Sequence, residues 1–128
     1  MSYRYDQVDD LEGKPKAGTK QCVALVKQYA KCPETAKWKE GVKVKGATVL
    51  KGTAIATFVN GKYPSLGSGN HAGLYVGQDA NGITIMDQWA DDVKKPTISS
   101  RALRFKGPAK KGHYPDASNN GDAYSVID

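Results

Sequence analysis

Cysteine and histidine are the side chains best suited to attack and proton shuttling, and the 128-residue chain uses them sparingly: Cys22 and Cys32, His71 and His113. Cys22 stands where the glycine-led loop "GTKQ" gives way to the apolar run "CVALVKQYAKC". A cysteine in the first turn of a helix meets free backbone N–H groups and the positive end of the helix dipole, and both favour thiolate over thiol. Free cysteine is also among the most buried residue types, so Cys22 alone reads equally as a nucleophile or as a small core residue. Cys32 falls at the far end of the same run, where the dipole opposes a thiolate, and reads as structural. A thiolate that cleaves an acyl bond needs an imidazole to share and return a proton. His113 lies in the turn-rich "KKGHYPDASNNGD" and reads as a loop histidine, whereas His71 opens the strand-like "HAGLYVG". A rigid strand can hold a ring against a fixed partner; a satisfied, half-buried histidine would look the same.

The elements must supply that partner. "GNHAGLYVGQDANGITIMDQWA" contains two apolar, β-branched and aromatic runs around "GQDANG", and its Asn-Gly predicts a hairpin turn with positive φ. If the turn centres near Asp79-Ala80, His71 faces residues 87 to 89. Asp87 shares a strand face with Ile83, Ile85 and Trp89 and is the expected orienter of the imidazole, with Gln88 in reserve. Asp91 and Asp92, past the strand, read as solvated.

Elsewhere, Thr19 is the expected N-cap of a helix running to about Lys31, which Pro33 blocks. Residues 34 to 41 suggest a further helical turn or two, and "VKVKGATVL" a short strand or extended connection. Thr53 to Val59 predict a strand closed by Asn60-Gly61, with more strands in "PTISSRALRFKG" and "DAYSVID". The expected class is α+β, with residues 1–128 forming a single domain.

A net charge of +6 comes mostly from lysine, with only Arg4, Arg101 and Arg104 beside it. That balance suits an acidic polymer or simply a solvated face, and argues against base-reading of nucleic acid. The scattered cysteines and histidines have no metal-ligand spacing, so no cofactor is expected, and "GSGNHAG" lacks the lysine and helix of a phosphate loop. The opening "MSYRYDQVDDLEG" has no apolar run of signal-peptide length, and no run is long enough to insert in a membrane. Without a disulfide framework the two cysteines read as thiols.

"GTKQCVALVK", followed about fifty residues later by "NHAGLYVG" and then "ITIMDQW", resembles the NlpC-type and CHAP-type papain-like cysteine peptidases, amidases that cut peptide bonds in bacterial cell walls. The resemblance spans roughly residues 17 to 90 and implies a cysteine-bearing helix packed on an antiparallel sheet. By position it makes Cys22 the nucleophile, His71 the base and Asp87 the orienting residue. It implies a thioacyl-enzyme whose oxyanion is held by the Cys22 backbone N–H and one further donor. Gln21, Tyr3 and Tyr5 are the candidates for that donor, and Gln88 and Trp89 are expected near the substrate. A small wall-cleaving enzyme without a Sec signal resembles type VI secretion amidase effectors. These are made in the bacterial cytoplasm and act in the periplasm of a target cell. An immunity protein plugging the Cys22 cleft is the implied partner, alongside the peptidoglycan substrate. The competing readings are a non-catalytic basic module for a polyanion such as nucleic acid or a wall polymer, and a papain-like acyltransferase.

Overall fold

In the computed structural model, which describes residues 2–128, six strands form one antiparallel sheet around which the rest of the chain is laid. The strands are β1 (Glu40–Lys43), β2 (Ala54–Thr57), β3 (Ala72–Gln78), β4 (Gly82–Asp87), β5 (Ser99–Arg104) and β6 (Tyr124–Ile127). Their spatial order is β1-β6-β2-β3-β4-β5, so the last strand fills the gap between the first two. The one α-helix among the described residues, α1 (Cys22–Tyr29), completes the expected α+β class.

The two-residue period of the strands sorts side chains onto two cores. On one face, Ala54, Ala56, Ala72, Leu74 and Met86 pack with Leu25 and Val26 of α1. The three alanines keep this face low under the helix. On the other face, Ile55, Tyr75, Ile83, Ile85, Leu103 and Tyr124 form a second cluster, against which Phe105, Tyr114 and Ala117 pack.

Local backbone explains where the elements depart from expectation. The N-cap of α1 is Gln21 (φ −70°, ψ 155°), not Thr19, and no side chain caps it. Gly18 (φ 50°) and Lys20 (φ 72°) adopt left-handed conformations that cannot belong to an α-helix, so Cys22 itself is the first helical residue. At the other end, Lys31 (φ 62°) turns the chain away, and the N–H groups of Ala30 and Cys32 both donate to the Val26 carbonyl. Residues Thr35–Lys37 form only a single 3-10 turn, and β1 starts at Glu40, ahead of the expected run. Asn60 (φ 52°) and Gly61 (φ 78°) form the expected tight turn, across which Val59 and Lys62 exchange both backbone hydrogen bonds. The β3–β4 hairpin forms by a different device. Neither Asn81 nor Gly82 has positive φ; instead Asp79 Oδ1 accepts from the N–H groups of Asn81 (2.8 Å) and Gly82 (3.2 Å).

Candidate active site

The end of β4 carries two consecutive polar side chains, and strand alternation sends them opposite ways. Asp87, fully buried, reaches His71: the ring Nε2 lies 2.7 Å from Asp87 Oδ2. Gln88, equally buried, turns to the loop that leads into α1. Its Oε1 accepts from the Ala17 N–H (2.7 Å), and its Nε2 donates to the carbonyls of Ala17 (3.0 Å) and Gln21 (2.8 Å). One strand end therefore orients the imidazole with one residue and fixes the approach to Cys22 with the next.

The register behind this is readable. Leu74 pairs with Met86 and Tyr75 with Ile85, which places residues 73 and 87 opposite each other and His71 on the diagonal from Asp87. His71 immediately precedes β3, its N–H donating to Thr57 Oγ1 (3.1 Å) and its carbonyl accepting from the Thr57 N–H (3.0 Å). With Nε2 committed to Asp87, Nδ1 is the ring nitrogen left for Cys22. Thr57, Asp87 and the strand ends thus hold a ring that is only 5 % exposed.

Electrostatics favour a charged pair. Burial pushes the Cys22 thiol up, but the hydrogen bond and charge of His71, the Tyr63 hydroxyl and the Ala72 backbone outweigh it, and the thiol ends below its ordinary value. Burial acts to lower His71, yet the Asp87 and Cys22 contacts leave it above the usual imidazole value. Both directions favour thiolate–imidazolium over the neutral pair. Asp87 is raised by burial but held at about 2 by His71, Arg101 and Lys95. Arg101 Nε donates to Asp87 Oδ2 at 2.7 Å, and Lys95 Nζ forms an ion pair with Oδ1 at 2.8 Å. Cys32, by contrast, is buried away from any such partner and is pushed up to about 12.

Cys22 opens onto a cleft of about 230 Å³ whose walls include Gln21, Lys27, Thr35, Tyr63, Leu66 and Asn70. The Tyr63 hydroxyl stands 3.7 Å from Cys22 Sγ. Gln21 is on the wall as expected, but Gln88 is not: its amide is consumed by backbone groups behind the cleft. Trp89 is set edge-on to His71, ring centroids 6.3 Å apart, and carries Lys95 and Arg101 on its face rather than lining the cleft. Tyr3 and Tyr5 pack on the core, Tyr5 against the Tyr29 ring at 5.1 Å. His113 is exposed in the C-terminal loop, where it bridges to Lys110. Asp91 is exposed, and Asp92 reaches Lys16 at 2.7 Å. Among the described residues no group of three or more His, Cys, Asp or Glu converges in a way that could hold a metal ion.

Sequence reasoning missed Tyr63, Asn70, Lys95 and Arg101. Arg101 sits on β5 diagonal to Asp87, because Ile85 pairs with Arg101 and Asp87 with Ser99. No turn signal ties β5 to β4 closely enough to read that register from the chain.

The family model described as domesticated amidase effector 2 matches residues 2–127. A type VI secretion amidase effector 2 protein of Salmonella typhi is 41 % identical over 133 aligned residues, covering all of both chains. The solved structure of a type 6 secretion amidase effector 2 superposes with a TM-score of 0.93 at 41 % identity, covering 98 % of this chain and 93 % of that one. The fold shared with it is the papain-like arrangement expected of the cysteine-helix and histidine-strand motifs.

Proposed function

The chain belongs to the domesticated amidase effector 2 family, and from that premise we propose that it is a peptidoglycan amidase, an antibacterial effector that hydrolyses an amide bond of the wall peptides through a Cys22 thioester. The observation that carries the reading is the 2.7 Å His71–Asp87 contact behind a half-buried cysteine at the first residue of a helix.

Cys22 thiolate attacks the scissile carbonyl, forming the C–S bond and a tetrahedral oxyanion. Collapse breaks the C–N bond, and His71 gives its Nδ1 proton to the departing amine. Water then attacks the thioester while His71 takes a proton from it. The second collapse releases the carboxylic acid product and restores the thiolate–imidazolium pair. Asp87 keeps the ring in the productive orientation and stabilises its charge throughout.

Two competing readings fit less well. The lysines of a basic binding module should stand free, yet Lys16, Lys20, Lys43, Lys45 and Lys51 each meet a carboxylate. An acyltransferase needs a continuous apolar trough, and the cleft instead mixes Val23 and Leu66 with Gln21, Lys27, Thr35, Ser65 and Asn70. The effector reading includes secretion to a target cell and an immunity protein in the producing one, which we place over the Cys22 cleft. Among the described residues no helix is long and apolar enough to cross a membrane.

The test is digestion of purified sacculi followed by mass spectrometry. Wild type should release fragments that each carry one added water at an amide bond, and Cys22→Ala should release none. Intact sacculi with folded wild type would sink the substrate assignment.

A further inference from the structure

The cleft holds a donor that the mechanism above has not used. Tyr63 is 9 % exposed, its ring tilted against Trp38 at 4.8 Å, so the phenol cannot swing freely. Its oxygen already accepts a hydrogen bond from Asn70 Nδ2 at 3.0 Å. The orientation of that amide is fixed from its other end, where Asn70 Oδ1 accepts from the Leu66 N–H at 2.6 Å. The amide therefore offers Tyr63 a donor and no acceptor. The phenolic proton must point elsewhere, and the group in front of it is Cys22 Sγ at 3.7 Å.

We propose that Tyr63 is a catalytic residue, the second oxyanion donor beside the Cys22 backbone N–H, and that Asn70 is its positioning residue. The inference rests on the Cys22 acyl-transfer reading and deepens it. A carbonyl carbon bonded to Sγ carries its oxygen within about 3 Å of the sulfur, on the wall that Tyr63 shares with Cys22. A donor 3.7 Å from the sulfur is well placed to meet that oxygen as charge develops. Burial and the neighbouring Cys22 push the phenol far above its ordinary value. The hydroxyl thus stays protonated and acts as a hydrogen-bond donor, leaving proton transfer to His71.

Tyr63→Phe keeps the ring on Trp38 and removes only the hydroxyl. Three reactions then separate its roles. Alkylation of Cys22 by iodoacetamide displaces iodide and builds no oxyanion. At a pH where the thiolate is fully formed, its rate should stay within about threefold of wild type. Acylation by p-nitrophenyl acetate does build one, and release of p-nitrophenolate should slow by about 10²-fold, as expected for loss of one oxyanion donor. Sacculus digestion should fall similarly. Asn70→Asp offers the phenol an acceptor and turns its proton away from the sulfur. It should slow acylation like Tyr63→Phe, and the double variant should be no slower than either single one. Equal losses in alkylation and acylation would mean that Tyr63 serves only the thiolate, and the proposal is overturned. Unchanged acylation overturns it too, as does an additive double variant for the Asn70 role. Wild type that is acylated normally but leaves sacculi intact would count against the wall substrate alone.

Discussion

At the scale of single residues, Asp87 does more than meet the imidazole. Its carboxylate neutralises Lys95, which is 4 % exposed, and it bonds Arg101 as well as His71. Removing one member of a buried ion pair leaves the other charge uncompensated, at a cost of roughly 3–5 kcal/mol. Asp87→Asn should therefore lose stability as well as turnover, with a fall in Tm on the order of 10 °C by calorimetry. Lys95→Met added to Asp87→Asn should recover at least half of that fall while leaving turnover low. If Asp87→Asn melts like wild type, the carboxylate serves His71 alone. The His71–Asp87 contact was legible because a hairpin makes residues 71 and 87 neighbours by arithmetic on one strand period. Lys95 and Arg101 were not legible, since they arrive from a loop and a strand whose register no local signal fixes. The reserve choice, Gln88, carried a real signal with a different meaning: a buried amide on the opposite face, fastening Ala17 and Gln21.

At the scale of elements, the glycine two residues after His71 has a steric cause. A Cβ on Gly73 would lie 2.6 Å from Ile85 Cδ1 and 2.9 Å from the Met86 carbonyl oxygen. The strands can pair this closely beside Asp87 only because that side chain is absent. Gly77 serves differently, at the register shift between Tyr75 and Gly77 where nothing crowds it. Gly73→Ala should then cost about 1–3 kcal/mol by overpacking in chemical denaturation, whereas Gly77→Ala should cost less than 1. Because the displaced backbone carries His71 relative to Asp87, the Gly73 variant should also lose turnover out of proportion to its stability, measured well below its midpoint. A Gly73→Ala protein with full turnover would show that the diagonal 71–87 geometry tolerates a shift. The hairpin and the centre of its turn near Asp79-Ala80 were legible from the apolar runs, but the expected positive φ at Asn81-Gly82 is absent and the Asp79 side chain makes the turn instead. The start of α1 was misplaced because left-handed Lys20 carries no compositional mark. Side-chain periodicity reports which face is buried; it is silent on one-residue backbone reversals.

At the scale of the whole molecule, the folded chain already brings Cys22, His71 and Asp87 together. Residues 8–17, α1 and the β3–β4 hairpin meet in one core, Cys22 already faces His71, and the cleft of about 230 Å³ is open at the surface. An enzyme that is active as folded is safe only where its substrate is absent, and the inner membrane of a Gram-negative cell provides that separation from peptidoglycan. Location, more than covalent activation, should then decide toxicity. Fused to a Sec export signal and expressed in a Gram-negative host, the wild-type chain should round and lyse the cells within a few generations. The same chain retained in the cytoplasm should leave growth unchanged, and exported Cys22→Ala should be harmless at equal periplasmic abundance by immunoblot. The net charge of +6, which the ion pairs of Lys16, Lys20, Lys43, Lys45 and Lys51 leave in place, adds a second signature: digestion of anionic sacculi should weaken with added salt, while acylation by a small neutral ester should not. Lethality from the cytoplasmic form would point to another target inside the cell. A folded, abundant and harmless periplasmic wild type would remove the wall from the list of its substrates.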